Sequence, residues 1–257
     1  VKQASERVKA ETEQIPEVKN FIKFIINSEL SKIRDTIKKG KLSKTKDELV
    51  KYIVSQVWLR SAPNLVNIIN GTGIVLHTGF GRAPFHGKQL KNLANRLDGY
   101  VNLEFDLESG NRGDRQSLIH DRLSAMCGSE SALLVNNNAA AVFLALNEMA
   151  INGDVICSRG QMVEIGGSFR IPDIIEKSGA KIKEVGATNR THLKDYENAI
   201  SKKTKLILWV HTSNYIVKGF TKEVSLSDLV LLGQKYKIPV MADLGSGAFL
   251  DMQKLGL

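Results

Sequence analysis

Ser131-Ala-Leu-Leu-Val135-Asn136-Asn137-Asn138-Ala139-Ala140-Ala141-Val142-Phe143-Leu144 decides the fold. The spacing predicts a short buried strand over Ala132–Val135, and a helix from Ala139 where Ala and Leu bring good helix propensity and an apolar stripe. Three asparagines lie between, and asparagine is a favoured helix N-cap. A strand that feeds a helix through a short polar turn aims free N–H groups and the positive helix end at one spot. Such a spot suits an anion, phosphate above all.

The same unit recurs down the chain. Strand-like runs at Asp154–Cys157, Lys181–Val185, Leu206–Val210 and Pro239–Ala242 alternate with helical stretches near Ala139–Ile151, Gly167–Ser178, Leu193–Ile200 and Ser225–Tyr236. This alternation predicts an α/β fold, a mostly parallel sheet with helices on both faces. Ligands of such sheets sit at the carboxyl ends of the strands. The polar residues fall there: Asn136–Asn138, Ser158-Arg-Gly160, His211-Thr-Ser-Asn214 and Asp243-Leu-Gly-Ser246. Asp243 follows an apolar strand and precedes Gly-Ser-Gly. One strand-end Asp can be a turn former, but four polar strand ends on one rim suggest a site.

Before the sheet, Asn70-Gly-Thr-Gly-Ile-Val-Leu-His77-Thr-Gly-Phe-Gly81-Arg82-Ala-Pro84 reads as an extended arm with turns, and Arg82 is its one strong anion binder. It matches neither a dinucleotide-binding nor a Walker glycine pattern. A helix is expected around Lys88–Leu97, and Val101–Asp106 alternates in the strand period. Gly110-Asn-Arg112-Gly-Asp-Arg115 then sets two arginines in a glycine loop ahead of another helix, a pairing that leans toward anions.

Residues 17–39 carry one greasy helical face, from Phe21 and Ile25 to Ile37, followed by a basic stretch with Lys38, Lys39, Lys41, Lys44 and Lys46. Thr45-x-x-Glu48 is a capping-box pattern opening a second helix, which Pro63 is expected to end. The net charge is +9, and residues 1–60 hold 14 Lys/Arg against 8 Asp/Glu, so most of the excess is local. Such an excess is usually a solvated face; a polyanion partner is the sharper possibility. Residues 1–63 are therefore expected to form a small basic helical domain and residues 64–257 the core. The two cysteines give no disulfide framework and no metal spacing, and no apolar run is long enough to cross a membrane. No signal peptide opens the chain, so a cytoplasmic protein is expected.

A phosphate seat on a helix N-terminus, with a carboxylate at a later strand end, fits pyridoxal phosphate. An acid beside its pyridine nitrogen keeps the ring protonated and able to accept electrons. The cofactor also needs a Schiff-base lysine. Lys254 is the only lysine after Asp243, and it lies too near in sequence to cross the sheet and return.

Several long segments resemble the bacterial selenocysteine synthase family, the L-seryl-tRNA(Sec) selenium transferases. They include Ile69-Asn-Gly-Thr-Gly, His77-Thr-Gly-Phe-Gly-Arg82-Ala-Pro, Asn102-Leu-Glu-Phe-Asp-Leu-Glu, Val135-Asn-Asn-Asn-Ala-Ala-Ala-Val, Ser158-Arg-Gly-Gln-Met-Val-Glu164, Val185-Gly-Ala-Thr-Asn-Arg-Thr-His, Val210-His-Thr-Ser-Asn-Tyr and Asp243-Leu-Gly-Ser-Gly. The match runs from about Asn64 to Leu257 in the family's order. It departs at Gly79-Phe80, where the family has Asn-Leu, and at Trp209, where Lys is common.

The resemblance implies a fold-type-I pyridoxal phosphate transferase large domain, its seven-stranded-type sheet incomplete here, behind a small helical tRNA-binding domain. By resemblance, Asn137, Asn138 and Ala139 seat the cofactor phosphate, Asp243 faces the pyridine nitrogen, Asn214 approaches the ring hydroxyl and His211 lies against the ring. Arg82 is implicated in binding selenophosphate, with Arg115 a further anion binder. The implied reaction converts seryl-tRNA(Sec) to selenocysteinyl-tRNA(Sec) with selenophosphate, through a cofactor-bound aminoacrylyl intermediate. The implied assembly is a homo-oligomeric ring of dimers, with no metal. The family's Schiff-base lysine would lie beyond Leu257, so this chain alone is expected to be inactive. Two alternatives stand beside this expectation. A related pyridoxal phosphate lyase acting on a small amino compound is disfavoured by the basic front and Arg82. A truncated tRNA-binding remnant is favoured only if the chain truly stops at Leu257.

Overall fold

Apolar residues along one side of a helix need a partner, and at the front of the chain a second helix supplies it. The computed structural model describes residues 16–40, 45–62, 65–166, 169–250 and 252–256. In it α1 (Pro16–Lys38) packs on α2 (Lys46–Ser61), burying Ile25, Ile26, Ile53 and Val57. The capping box at Thr45 is present in full. Glu48 N donates to the Thr45 hydroxyl at 3.4 Å, and Thr45 N donates to the Glu48 carboxylate at 2.7 Å. Lys41, Lys44 and Pro63 lie outside the described residues.

The chain divides into two compact units, residues 1–84 and 85–257. The second unit opens with α3 (Gly87–Arg96) and α4 (His120–Cys127), then α5 (Asn138–Ala150). From there strands and helices alternate: β1 (Asp154–Ser158), the short β2 (Glu164–Ile165) and β3 (Phe169–Arg170), α6 (Ile171–Lys177), β4 (Lys181–Val185), α7 (Leu193–Ala199), β5 (Thr204–Val210), α8 (Leu226–Tyr236) and β6 (Val240–Asp243). The main sheet has the order β4-β1-β5-β6, and every pairing in it is parallel.

Both faces of the sheet are covered, as strands apolar on both sides require. Val155, Cys157, Leu206, Leu208 and Val210 pack with Val142 and Leu146 of α5 and Ile171 and Ile175 of α6. The alternate residues Ile156 and Ile207 pack on the other face with Tyr196 of α7 and Leu229 and Leu232 of α8.

Three expectations need correction. Ala132–Val135 is not a strand. It runs unpaired among the described residues, with Leu133 and Leu134 exposed, and the side-chain amide of Gln116 bonds both Leu134 N and Leu134 O at 3.0 Å. A strand needs a backbone ladder, and here one glutamine supplies its only rung. Val101–Asp106 is not a strand either, beyond an isolated bridge between Phe105 and Arg112. Asp106 Oδ1 accepts from Glu108 N and Ser109 N at 3.0 and 2.7 Å, a local turn that competes with extended pairing. The helix expected from Gly167 begins only at Ile171, because Phe169–Arg170 pair antiparallel with Glu164–Ile165 and Pro172 sits where prolines start helices.

Candidate functional site

Parallel strands that end together place whatever follows them on one rim. Val210 and Asp243 are register partners at the ends of β5 and β6, and His211 N donates to the Asp243 carbonyl at 2.9 Å. Asp243 itself is 4% exposed. Its Oδ1 accepts from Asn138 Nδ2 at 2.8 Å and from Gly245 N at 2.9 Å. Its Oδ2 has no hydrogen-bond partner among the described residues. The Asp–Leu–Gly turn thus holds the carboxylate by one oxygen and leaves the other open.

The Asn138 contact joins the start of α5 to the end of β6, across 105 residues of sequence. Asn137 caps α5 by accepting from Ala140 N at 2.8 Å. Its carbonyl takes Ala141 N at 3.1 Å. The N–H groups of Asn138 and Ala139 therefore remain without partners among the described residues, at the positive end of a 13-residue helix. Asn137, Asn138, Ala139 and Asp243 are brought together.

The other candidate residues are placed less directly. His211 is exposed, its ring tilted 34° to that of Trp209 with centroids 6.2 Å apart. Asn214 spends one amide hydrogen on the Glu164 carbonyl at 2.8 Å. Arg115 is in an ion pair with Glu104, which Arg112 also contacts at 2.8 Å. Arg82 belongs to the other unit. It adopts φ 64°, and its exposed side chain has neither hydrogen bond nor ion pair among the described residues.

Two supporting residues carry no local sequence signal. Gln161 is 5% exposed and accepts from Val210 N at 3.1 Å, fixing the end of β5. Tyr215 donates its hydroxyl to the Gly160 carbonyl and ties the loop after β5 over β1. Elsewhere His120 touches Asp121 and Ser131 at 3.0 Å each, but Asp121 is 98% exposed, so the trio lacks the buried acid that orients a nucleophilic triad.

The donor set fits a phosphorylated, ring-nitrogen cofactor. Open helix N–H groups suit its phosphate, and a buried carboxylate with one free oxygen suits a protonated ring nitrogen. No group of three or more His, Cys, Asp and Glu that could hold a metal occurs among the described residues.

Comparison with known proteins gives a matching picture. The SelA family model, described as L-seryl-tRNA selenium transferase, matches residues 68–257. The L-seryl-tRNA(Sec) selenium transferase of Nitratidesulfovibrio vulgaris is 49% identical over 241 residues, covering 92% of this chain and 51% of that protein. The protein of that name from Caldanaerobacter subterraneus subsp. tengcongensis is 46% identical over 251 residues, covering 95% of this chain and 54% of its own. The chain thus spans about half the length of the curated relatives it matches. Among solved structures, D-glucosaminate-6-phosphate ammonia-lyase superposes with a TM-score of 0.53 at 19% identity, over 64% of this chain and 45% of that one. That likeness is one of fold, the fold-type-I large domain, of which four parallel strands are described here.

Proposed function

Because the chain belongs to the L-seryl-tRNA selenium transferase family, we propose that it serves in converting seryl-tRNA(Sec) to selenocysteinyl-tRNA(Sec), with pyridoxal phosphate as cofactor and selenophosphate as selenium donor. The observation that supports this reading is the 2.8 Å bond from Asn138 to the buried Asp243, which would put a phosphate on the start of α5 beside a fixed acid. When bound, the cofactor supplies an electron sink that eases loss of the substrate's α-proton.

The chain's own residues divide the remaining work. Asn138 N and Ala139 N, capped by Asn137, would take the phosphate. Asp243 Oδ2 would hold the proton on the ring nitrogen, because a nearby negative charge favours the cation. His211 would cover the ring, and Asn214, with Oδ1 and one amide hydrogen still open, would meet the ring hydroxyl. Arg82 offers a two-pronged fork to selenophosphate. Arg115, a further anion binder, would have to exchange Glu104 for its ligand. Residues 1–63 are the tRNA-binding part and residues 64–257 the catalytic core. A homo-oligomer, by family resemblance a ring of dimers, would cover apolar side chains such as Ile69 at 97% and Phe85 at 75% exposure. No helix among the described residues is long and apolar enough to cross a membrane; the site of action would be the cytoplasm, where the proposed tRNA substrate is met.

Asp243→Asn in the full-length protein tests the reading. The amide oxygen can still accept from Asn138 and Gly245, so the fold and cofactor binding should persist. Loss of the charge should lower selenocysteinyl-tRNA formation about a hundredfold, the scale of losing one preorganised electrostatic partner. Near-normal turnover would show that Asp243 is only a turn former.

A further inference from the structure

Residues 211–225, between β5 and α8, cross the carboxyl rim as a fixed strap. The strap leaves β5 beside Asp243 and is tied over β1 by Asn214 and Tyr215, which donate to the carbonyls of Glu164 and Gly160. Its far end pairs with the loop after β4. Thr191 N donates to Lys222 O at 2.8 Å, Lys222 N to Asn189 O at 3.0 Å and Asn189 Nδ2 to Phe220 O at 2.8 Å, with Arg190 and Lys222 as parallel bridge partners.

What this strap shows to solvent is unusual for a connection so firmly held. Phe220 is 88% exposed and Ile216 81%. Lys218, Lys222 and Arg190 are exposed and have no ion pair among the described residues. Glu223 is the only carboxylate in residues 186–192 and 211–224. A lone exposed phenylalanine needs no explanation. One standing among three free cations, on a backbone that cannot collapse over it, has the composition of a single-stranded nucleic-acid platform: a ring for a base, positive charge for phosphates.

Position adds a second argument. With β4 and β6 at opposite ends of the sheet, the carboxyl rim spans three strand spacings, about 15 Å. A few unpaired nucleotides can cover that distance. The acylated end is also the one part of a seryl-tRNA that must arrive at Asp243. Resting on the seryl-tRNA reading above, we propose that residues 216–222 with Arg190 hold the single-stranded 3′ end that carries the seryl group. Phe220 stacks on one of its bases, and Lys218, Lys222 and Arg190 take its phosphates.

Anisotropy titration of the full-length protein with two labelled RNAs tests this: intact tRNA(Sec), and tRNA(Sec) with its unpaired 3′ nucleotides removed. Phe220→Ala should weaken binding of the intact RNA about tenfold and that of the trimmed RNA less than twofold, and Phe220→Trp should restore it. Replacing Lys218 and Lys222 by Gln should reduce the salt slope for intact RNA by about 0.7 per lysine. Because Phe220 is solvent-exposed, these variants should fold. Indifference of intact-RNA binding to Phe220→Ala, or equal loss for both RNAs, would overturn the assignment. A change of assembly mass in sedimentation on Phe220→Ala would overturn it in favour of an interface with a second copy. If the parent protein binds neither RNA, the seryl-tRNA reading fails first and this assignment with it.

Discussion

Asp243 and Asn138 show how one residue pair can be structural and poised for chemistry at once. A hydrogen bond to a charged acceptor contributes about 1.5–3 kcal/mol, more than the roughly 1 kcal/mol of the Asn137 cap. Asn138→Ala should therefore lower unfolding stability by about 2 kcal/mol and weaken cofactor retention, whereas Asn137→Ala should cost about half as much. Equal, small effects in urea titrations would show that the contact carries no weight. A second buried carboxylate, Glu29, sits in the front helices with its side chain 1% exposed. Lys32 bonds it at 2.7 Å and Tyr52 at 3.1 Å, with Arg60 also in contact. The Lys32 hydrogen bond above all, with help from Tyr52 and Arg60 and against the cost of burial, holds its pKa below the ordinary 4.5. A lowered folded pKa means stability that is complete above pH 4.5 and fades as pH falls through the folded value. Glu29→Gln should thus cost about 2 kcal/mol at neutral pH. The gap from the parent should close below pH 4.5, read by hydrogen exchange of the amides in α1 and α2. A gap independent of pH would assign Glu29 a packing role alone.

At the scale of elements, close approach decides what α8 will accept. A Cβ on Gly233 would lie 2.6 Å from both Ile238 O and Val240 Cγ2. Alanine in a helix interior gains up to about 1 kcal/mol in propensity. Overpacking against a backbone carbonyl costs about 1–3 kcal/mol, so the clash wins. Gly233→Ala should lower the urea midpoint; a raised midpoint would mean that α8 slides freely along β6. The same distinction between local and distant forces explains what the sequence shows of the fold. Helix starts with their own caps, Thr45–Glu48 and Asn137, are legible because every atom involved is within a few residues. The strands β1 and β5 are legible because burial on both faces leaves apolar runs, β6 by its short run Val240-Met-Ala, and β4 by apolar residues alternating with charged ones in Lys181-Ile-Lys-Glu-Val. Val101–Asp106 and Ala132–Val135 carry strand-like patterns, but a strand exists only with a partner, and a pattern does not name one. The site divides likewise. Asp243 can be read from a strand end and the asparagines from the helix start that Asn137 caps, whereas their mutual bond, the Gln161 brace and the strap's tie through Tyr215 join residues far apart and leave no local trace.

Across the whole molecule, charge is the property that composition fixes and folding then displays. Residues 1–60 hold 14 of the 36 Lys/Arg but only 8 of the 27 Asp/Glu. In the described front helices and the turn after α1, Lys19, Lys23, Lys32, Arg34, Lys38, Lys39, Lys46 and Lys51 are all exposed. Among the described residues only Lys32 of these has an ion pair, with Glu29. Each phosphate neutralised on a duplex contributes about 0.9 to the slope of log affinity against log salt. If the front cations hold tRNA, deleting residues 1–60 from the full-length protein should weaken binding strongly at low salt and flatten that slope by about 3 or more. The loss should be the same for intact tRNA(Sec) and for tRNA(Sec) lacking its unpaired 3′ nucleotides, since a basic helical face follows phosphates and ignores free bases. That separates the front helices from the strap, where only the intact RNA should respond to Phe220→Ala. Unchanged affinity and slope after the deletion would reduce the front charge to a solvated face. A loss confined to the intact RNA would instead move the 3′ end from the strap to the front helices.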